Sequence, residues 1–214
     1  MDNSIRFEKV YEILDKNLPE NINFLNATDP FQFLISVMLS AQTTDASVNK
    51  ETPKLFEKLP TPYSMASASE EEIEHLISRI GLYHVKARYL KKCSEQLVND
   101  FDGRIPSDMK NLVSLSGVGR KTASCILGFV YNKPAVIVDT HFSNVIKKIG
   151  GKEVPSGATE IEKYVKEHLS EEKQYRFSMI INYHGRQTCK TRKPLCENCL
   201  LQKYCYYFTS RDKK

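Results

Sequence analysis

The spacing of apolar residues predicts α-helices along almost the whole chain. Over residues 4–17, for example, Ile5, Val10 and Leu14 fall on one helical face. Similar patterns predict further helices over 31–39, 45–59 with Asp45 as the cap, 69–80, 84–101, 107–114, 120–130, 140–149, 157–169 and 171–184. The only strand-like run is the short stretch 135–138, so the sequence predicts an all-α fold.

The stretch 115–121, Leu-Ser-Gly-Val-Gly-Arg-Lys, separates two of these predicted helices. Gly117 and Gly119 permit a positive φ, so the chain can turn within a few residues. Consecutive backbone N–H groups and the positive end of the next helix dipole then suit a phosphate, and Arg120 adds a cation. An ordinary corner between helices fits the same glycines, because a lone G-x-G is weak evidence.

Lys121 adds candidate chemistry to this hairpin. A lysine acts as a nucleophile only as the neutral amine, and the helix N-terminus, Arg120 and partial burial would each favour that form. Asp139, eighteen residues later in the run Val-Asp-Thr-His, is a candidate carboxylate partner. Capping the helix 140–149 is its plainer role, and one carboxylate can perform both.

The formal charge is +5 over 214 residues, and it is concentrated at one end. From residue 186 onward, Lys and Arg outnumber Asp and Glu by 8 to 2, whereas the preceding 185 residues carry 23 and 24. This tail contains Arg186, Lys190, Arg192 and Lys193, which predict contacts with an anionic polymer unless they serve only solubility. No stretch suits a membrane span and the N-terminus does not resemble a signal peptide, so we expect a cytoplasmic protein.

Four of the six cysteines lie close together in the same tail. Cys189, Cys196, Cys199 and Cys205 have the spacing C-x6-C-x2-C-x5-C. Four thiols within 17 residues of a cytoplasmic chain favour a metal centre over disulfides. Zinc and an iron–sulfur cluster can both use four cysteine ligands, and the spacing alone does not separate them.

Several motifs taken together resemble one enzyme family. LSGVGRKTA over 115–123, VDTH over 138–141 and HGRQTC over 184–189, followed by the spaced cysteines, are similar to the endonuclease III family of helix-hairpin-helix DNA glycosylases and AP lyases. The resemblance runs over nearly the whole chain, from Phe31 to Cys205. It implies one helical domain over 22–133, with the helix-hairpin-helix at about 107–130, and a second over 1–21 plus 134–214, with a cluster loop at 189–205.

The resemblance also implies an activity and its residues. The expected enzyme removes oxidised pyrimidines from damaged double-stranded DNA in base excision repair, as a nucleoid-associated monomer that does not bind membranes. Lys121 would form a Schiff base with the sugar, Asp139 would assist, and β-elimination would then cut the strand. The four cysteines would ligate a [4Fe-4S] cluster. The expected DNA contacts are Gln42 and Leu82 as inserted residues, Gly117, Gly119 and Arg120 of the hairpin, and His141, Arg186, Lys190, Arg192 and Lys193.

Two departures from the family pattern leave alternatives open. Ser116 stands where proline is usual, which predicts a tolerated but looser turn, and Asn144 stands where arginine is usual, which removes a cation and leaves base preference open. A mismatch-specific glycosylase of the same superfamily is one alternative, although Ser36 replaces the glutamate of adenine-mismatch enzymes and thymine-mismatch enzymes usually lack the lysine. A non-catalytic, cluster-bearing DNA-binding protein is another, against which Lys121 and Asp139 together argue.

Overall fold

The computed structural model describes residues 1–211, which form helices joined by short loops. The α-helices are α1 Asn3–Asn17, α2 Pro30–Leu39, α3 Asp45–Lys58, α4 Pro62–Ser67, α5 Glu70–Leu76, α6 Tyr83–Phe101, α7 Met109–Ser114, α8 Arg120–Tyr131, α9 Thr140–Gly150, α10 Ala158–His168, α11 Glu171–Gln187 and α12 Tyr206–Thr209. Short 3₁₀ helices occupy Gly151–Glu153, Cys196–Asn198 and Gln202–Tyr204. No β-strand occurs within the described residues, which confirms the predicted all-α class.

The differences from the predicted helices lie mainly at helix ends. Thr44, not Asp45, caps α3, because the Thr44 backbone is extended (φ −71°, ψ 147°) and its hydroxyl oxygen accepts a hydrogen bond from the first turn. The helix expected to continue to about residue 80 ends at Leu76, and hydrogen-bonded turns follow it. The apolar pattern did not predict α4, although Thr61 and the proline after it are ordinary helix-start residues.

The described chain divides into two compact units. One is Asn23–Tyr131, and the other is Met1–Ile22 together with the chain from Asn132 onward. No helix within the described residues is long and apolar enough to cross a membrane.

The apolar helix α2 forms the centre of the unit Asn23–Tyr131. Every residue from 33 to 39 is buried, and Phe33 stacks on Phe129 of α8 with 3.9 Å between the ring centroids. Helix α8 also packs against α7, while α4 and α5 pack against α6. The hairpin between α7 and α8 is therefore attached to a rigid core.

The other unit has its own core between α1, α9, α10 and α11, in which Phe7, Phe142 and Phe177 are fully buried. Two ion pairs join α1 to α11: Glu8 with Lys173 at 2.5 Å, and Asp15 with Arg176 at 2.7 Å. The stretch 135–138, expected to be strand-like, has no strand pairing. Its residues 135–137 are buried, and it leads directly into the cap of α9.

Candidate active site and cysteine pocket

The hairpin between α7 and α8 depends on the conformation of one glycine. Gly117 has φ 76°, and a Cβ at this position would lie 2.8 Å from the Cβ of Tyr89, so no other residue fits. Val118 anchors the turn, since it is 6% exposed and its N–H donates to the carbonyl of Leu115 at 3.1 Å. Gly119 does not use a positive φ, but no other part of the described chain lies within 4 Å of a Cβ added there, so the space beside it is open.

Ser116 is held by Gln96, which lies on α6. The N–H of Ser116 donates to Oε1 of Gln96 at 2.7 Å, and Nε2 of Gln96 donates to the carbonyl of Ser114 at 3.1 Å. A proline at position 116 would have no N–H for this bond. The N–H that distinguishes serine from proline is therefore bonded, which opposes the predicted loosening of the turn.

Lys121 is the second residue of α8, and its side chain is exposed, as is that of Arg120. The predicted partial burial of Lys121 is wrong. The reason is that α8 is buried only from Ala123 onward, so its first turn projects into solvent. This exposure leaves the amine accessible to a large ligand.

Gln42 and Leu82 share an unusual backbone conformation. Their φ angles are 55° and 60°, in the left-handed region that non-glycine residues rarely adopt. Both side chains are exposed, and together with Met38, Tyr89 and Gly117 they line an open pocket of about 590 Å³. The Gln42 side chain makes no hydrogen bond within the described residues, which argues against a helix-capping role.

Lys86 links the two segments that carry these residues. It lies one helical turn after Leu82 and is 7% exposed. Its ammonium donates to the carbonyl of Leu39, at the end of α2, at 2.9 Å and to Oγ1 of Thr43 at 2.8 Å. Burial lowers the pKa of this ammonium. The apolar pattern gave no indication of this contact, because a lysine on an amphipathic helix is ordinarily exposed.

Asp139 is the N-cap of α9, as predicted, and both of its carboxylate oxygens accept hydrogen bonds. Oδ1 accepts from the N–H of Phe142 at 2.8 Å, and Oδ2 accepts from Nδ2 of Asn182 on α11. Oδ1 of Asn182 in turn accepts from Nε of Arg186 at 2.7 Å. Arg186 lies in the last turn of α11, which extends three residues beyond the end predicted at residue 184. Sequence reasoning missed Asn182, which is 43 residues from Asp139.

A close helix contact brings these groups together. A Cβ added to Gly185 of α11 would lie 3.0 Å from Cγ2 of Val145 and 3.1 Å from Cβ of His141, both on α9. Only glycine therefore lets the two helices approach this closely without a shift. His141 is half-buried at this contact.

The four predicted ligand cysteines line one open pocket of about 380 Å³. All four are free thiols. No group of three or more His, Cys, Asp or Glu within the described residues is arranged to hold a single metal ion.

The environment of the pocket disfavours free thiolates. Burial raises the pKa of the Cys189 thiol to about 11, and it also raises the pKa values of Cys199 and Cys205. Burial lowers the pKa of His184 to about 4, and this neutral imidazole has Nε2 3.6 Å from Sγ of Cys199. The backbone N–H of Leu201 donates to the same sulfur at 3.4 Å. A positively charged metal group would supply the charge that thiolate formation needs here.

Helix α9 is tied to the cysteine loop by two side chains. Asn144, which stands where the resemblance expects arginine, donates through Nδ2 to the carbonyl of Cys189 at 3.0 Å. Lys148 lines the pocket and donates through Nζ to the carbonyl of Lys190 at 3.2 Å. The departure at position 144 thus removes a cation but adds a bond that positions the first cysteine.

Comparison with known proteins identifies the class of protein to which this hairpin and cysteine pocket belong. Residues 35–171 match the model of the HhH-GPD superfamily base excision DNA repair proteins. Endonuclease III of Rickettsia felis is 36% identical over 202 residues, which are 94% of each chain. The structure of a trapped endonuclease III–DNA covalent intermediate has a TM-score of 0.91 and 35% identity, over 99% of this chain and 100% of that one. A thermostable thymine-DNA glycosylase has a TM-score of 0.88 at 25% identity, over 97% and 99%.

The chain belongs to the endonuclease III family within the HhH-GPD superfamily. It is a bifunctional DNA glycosylase and AP lyase of base excision repair, which confirms the predicted enzyme class. The two residues expected to carry the reaction, Lys121 and Asp139, belong to different units of the chain.

Proposed function

We propose that Lys121 is the nucleophile of this enzyme and that its substrate is an oxidised pyrimidine in damaged double-stranded DNA. One observation carries the assignment of the nucleophile: the amine is exposed in the first turn of α8, directly after the hairpin set by Gly117. A helix N-terminus attracts anions, so a phosphate bound at the hairpin would bring a sugar close to this amine.

The proposed reaction has two parts. The neutral amine attacks the sugar C1′, and the base leaves with the electrons of the glycosidic bond. The adduct opens to a Schiff base, which makes the C2′ proton acidic, and loss of that proton expels the 3′ phosphate and cuts the strand. We assign Asp139 to assist the first part, as a carboxylate that stabilises the positive charge developing on the sugar or helps to deprotonate the amine.

We propose that Gln42 and Leu82 enter the duplex where the damaged nucleotide leaves it. Extrusion of a nucleotide costs a few kcal/mol of stacking, and side chains that fill the gap offset part of that cost. Both residues are exposed in left-handed backbone conformations, and strain of this kind is common at functional sites. The buried ammonium of Lys86 supports both segments.

We assign the remaining DNA contacts to the phosphate backbone. The amides around Gly119, with Arg120, would bind one phosphate, and His141 and the exposed Lys190, Arg192 and Lys193 would bind others. Arg186 also makes a contact within the protein, because its Nε donates a hydrogen bond to Oδ1 of Asn182. We therefore expect Arg186 to contribute less to the salt dependence of binding than the three loop residues.

We propose that the four cysteines hold a [4Fe-4S] cluster, in a cluster domain made of residues 1–21 and 134–214. Four free thiols line one pocket, and the N–H donated to Cys199 is typical of cluster ligands. When bound, the cluster would cross-link the loop 189–205 and so hold its basic side chains in place. We expect the enzyme to act on DNA as a monomer.

The experiment combines a set of substrates with two lysine variants. Duplexes carrying thymine glycol, a G·T mismatch or an abasic site are incubated with the protein, and base release and strand cleavage are measured separately. We expect release from thymine glycol and cleavage at the abasic site for the wild type and for Lys54→Gln, an exposed lysine of the same unit. Lys121→Gln should bind these duplexes and do neither. Preferred release from the G·T mismatch would favour the mismatch-specific alternative, and binding without any cleavage by the wild type would favour a non-catalytic protein.

A further inference from the structure

The carboxylate of Asp139 is held by more than its capping bond. Capping α9 uses only Oδ1, which accepts from Phe142. The second oxygen is bonded to Asn182, a side chain that is 6% exposed on α11. A carboxylate has about four acceptor positions, and these two bonds decide where the remaining ones point.

The neighbours of Asn182 fix which way its amide faces. A carboxylate can only accept and a guanidinium can only donate, so the amide must present NH₂ to Asp139 and its carbonyl to Arg186. A flipped amide would place oxygen against oxygen on one side and nitrogen against nitrogen on the other. Because its carbonyl accepts from a cation, the amide is also polarised toward a stronger N–H donor.

We propose that Asn182 is a positioning residue for base excision, which holds the Asp139 carboxylate in the orientation that the reaction needs and is itself backed by Arg186. This inference rests on the proposed role of Asp139. Asn182 acts through Asp139 and does not contact the substrate. The close approach of α9 and α11 at Gly185 makes the arrangement possible.

The test separates a positioning role from a structural one by comparing rate with binding. Asn182→Leu has a similar size and donates nothing, so the carboxylate can rotate about its capping bond. Misplacement of a catalytic group by about 1 Å can cost about 100-fold in rate. We therefore expect the single-turnover rate of base release to fall roughly 10- to 100-fold, while the dissociation constant for duplex carrying an abasic-site analogue stays within about twofold.

Two further variants keep the test decisive. Asn182→Asp preserves the shape but sets a carboxylate against a carboxylate, so its rate should be at least as low as that of Asn182→Leu, and it decides the question if the leucine variant does not fold. Gln174→Met is the matched control. It removes the hydrogen bond that a buried side-chain amide donates to the carbonyl of Leu169, on the same helix two turns away. That variant should excise at the wild-type rate. Circular dichroism verifies folding of all variants.

The outcomes distinguish this inference from the proposed function. If Asp139→Asn is strongly impaired and both Asn182 variants excise at the wild-type rate, the positioning role is wrong and the role of Asp139 stands. If Asp139→Asn itself excises at the wild-type rate, the proposed role of Asp139 is wrong, and the inference fails with it. If Gln174→Met is impaired as much as Asn182→Leu, loss of any buried amide on α11 suffices, and Asn182 has only a structural role.

Discussion

Removal of the Gln96 side chain should loosen the hairpin in a measurable way. Gln96→Leu loses both bonds to the hairpin, the one from the Ser116 N–H at 2.7 Å and the one to the Ser114 carbonyl at 3.1 Å. A typical intramolecular hydrogen bond contributes about 0.5–1.5 kcal/mol net. One of these bonds is partly buried and the other is exposed. We therefore expect their loss to lower the free energy of hairpin opening by about 1–2 kcal/mol. Local opening of the hairpin should then become about 5 to 30 times more frequent.

The effect of proline at position 116 on hairpin stability tests the same estimate, because it should depend on whether Gln96 is present. Leu115 already has φ −71° and ψ 139°, the extended conformation that a following proline requires. In the wild type, Ser116→Pro loses about 1 kcal/mol with its N–H bond and gains about 0.4–1 kcal/mol from a stiffer unfolded chain, so its net effect should be small. In a Gln96→Leu background there is no such bond to lose, and the same substitution should stabilise the hairpin.

Native-state hydrogen exchange, read by mass spectrometry on peptides that contain Val118, measures hairpin opening in the wild type, both single variants and the double variant. Asn99→Leu, an exposed side chain one turn further along α6, is the control and should leave exchange unchanged. The reasoning fails if Gln96→Leu exchanges at the wild-type rate. It also fails if the effects of the two substitutions on the free energy of hairpin opening add to within about 0.3–0.5 kcal/mol, because additivity is the behaviour of independent sites.

Three further predictions concern the unit that contains the cysteine pocket, Met1–Ile22 together with the chain from Asn132 onward. Purified protein should contain about four iron atoms per chain and Cys199→Ala should lose them, since the loss of one ligand opens the site; stoichiometric zinc on metal analysis would contradict this. Replacing Lys190, Arg192 and Lys193 by alanine should weaken binding to damaged and undamaged duplexes alike and reduce the salt slope by roughly one unit per lost phosphate contact; an unchanged slope would mean that they serve only solubility. Gly185→Leu should lower thermal stability, because its Cβ alone would lie 3.1 Å from His141; a melting temperature equal to the wild type would show that α9 and α11 separate freely.

Local features of this protein could be predicted from the sequence, because each depends on neighbouring residues. The cap of α9 follows from an aspartate placed before a helical pattern, and the turn at Gly117 follows from the conformational freedom of glycine. The all-α fold class follows from the spacing of apolar residues alone. The resemblance to a family added the expected roles of Lys121 and of the cysteines.

The contacts that support these features could not be predicted, because they join residues far apart in the sequence. Gln96 is 20 residues from Ser116, Asn182 is 43 residues from Asp139, and Lys86 reaches back 47 residues to Leu39. Each is a polar side chain on an amphipathic helix, where exposure is the ordinary expectation. Only the packing of whole helices brings such side chains to their partners.

The residue that borohydride links to DNA tests the central claim most directly. Wild-type protein is trapped on a duplex carrying thymine glycol, the adduct is digested, and mass spectrometry locates the peptide that carries the reduced sugar. We expect that modification on Lys121, and we expect no adduct from Lys121→Gln although it binds the same duplex. A modification on another amine, with Lys121 unmodified, would contradict the assignment of this hairpin lysine as the nucleophile.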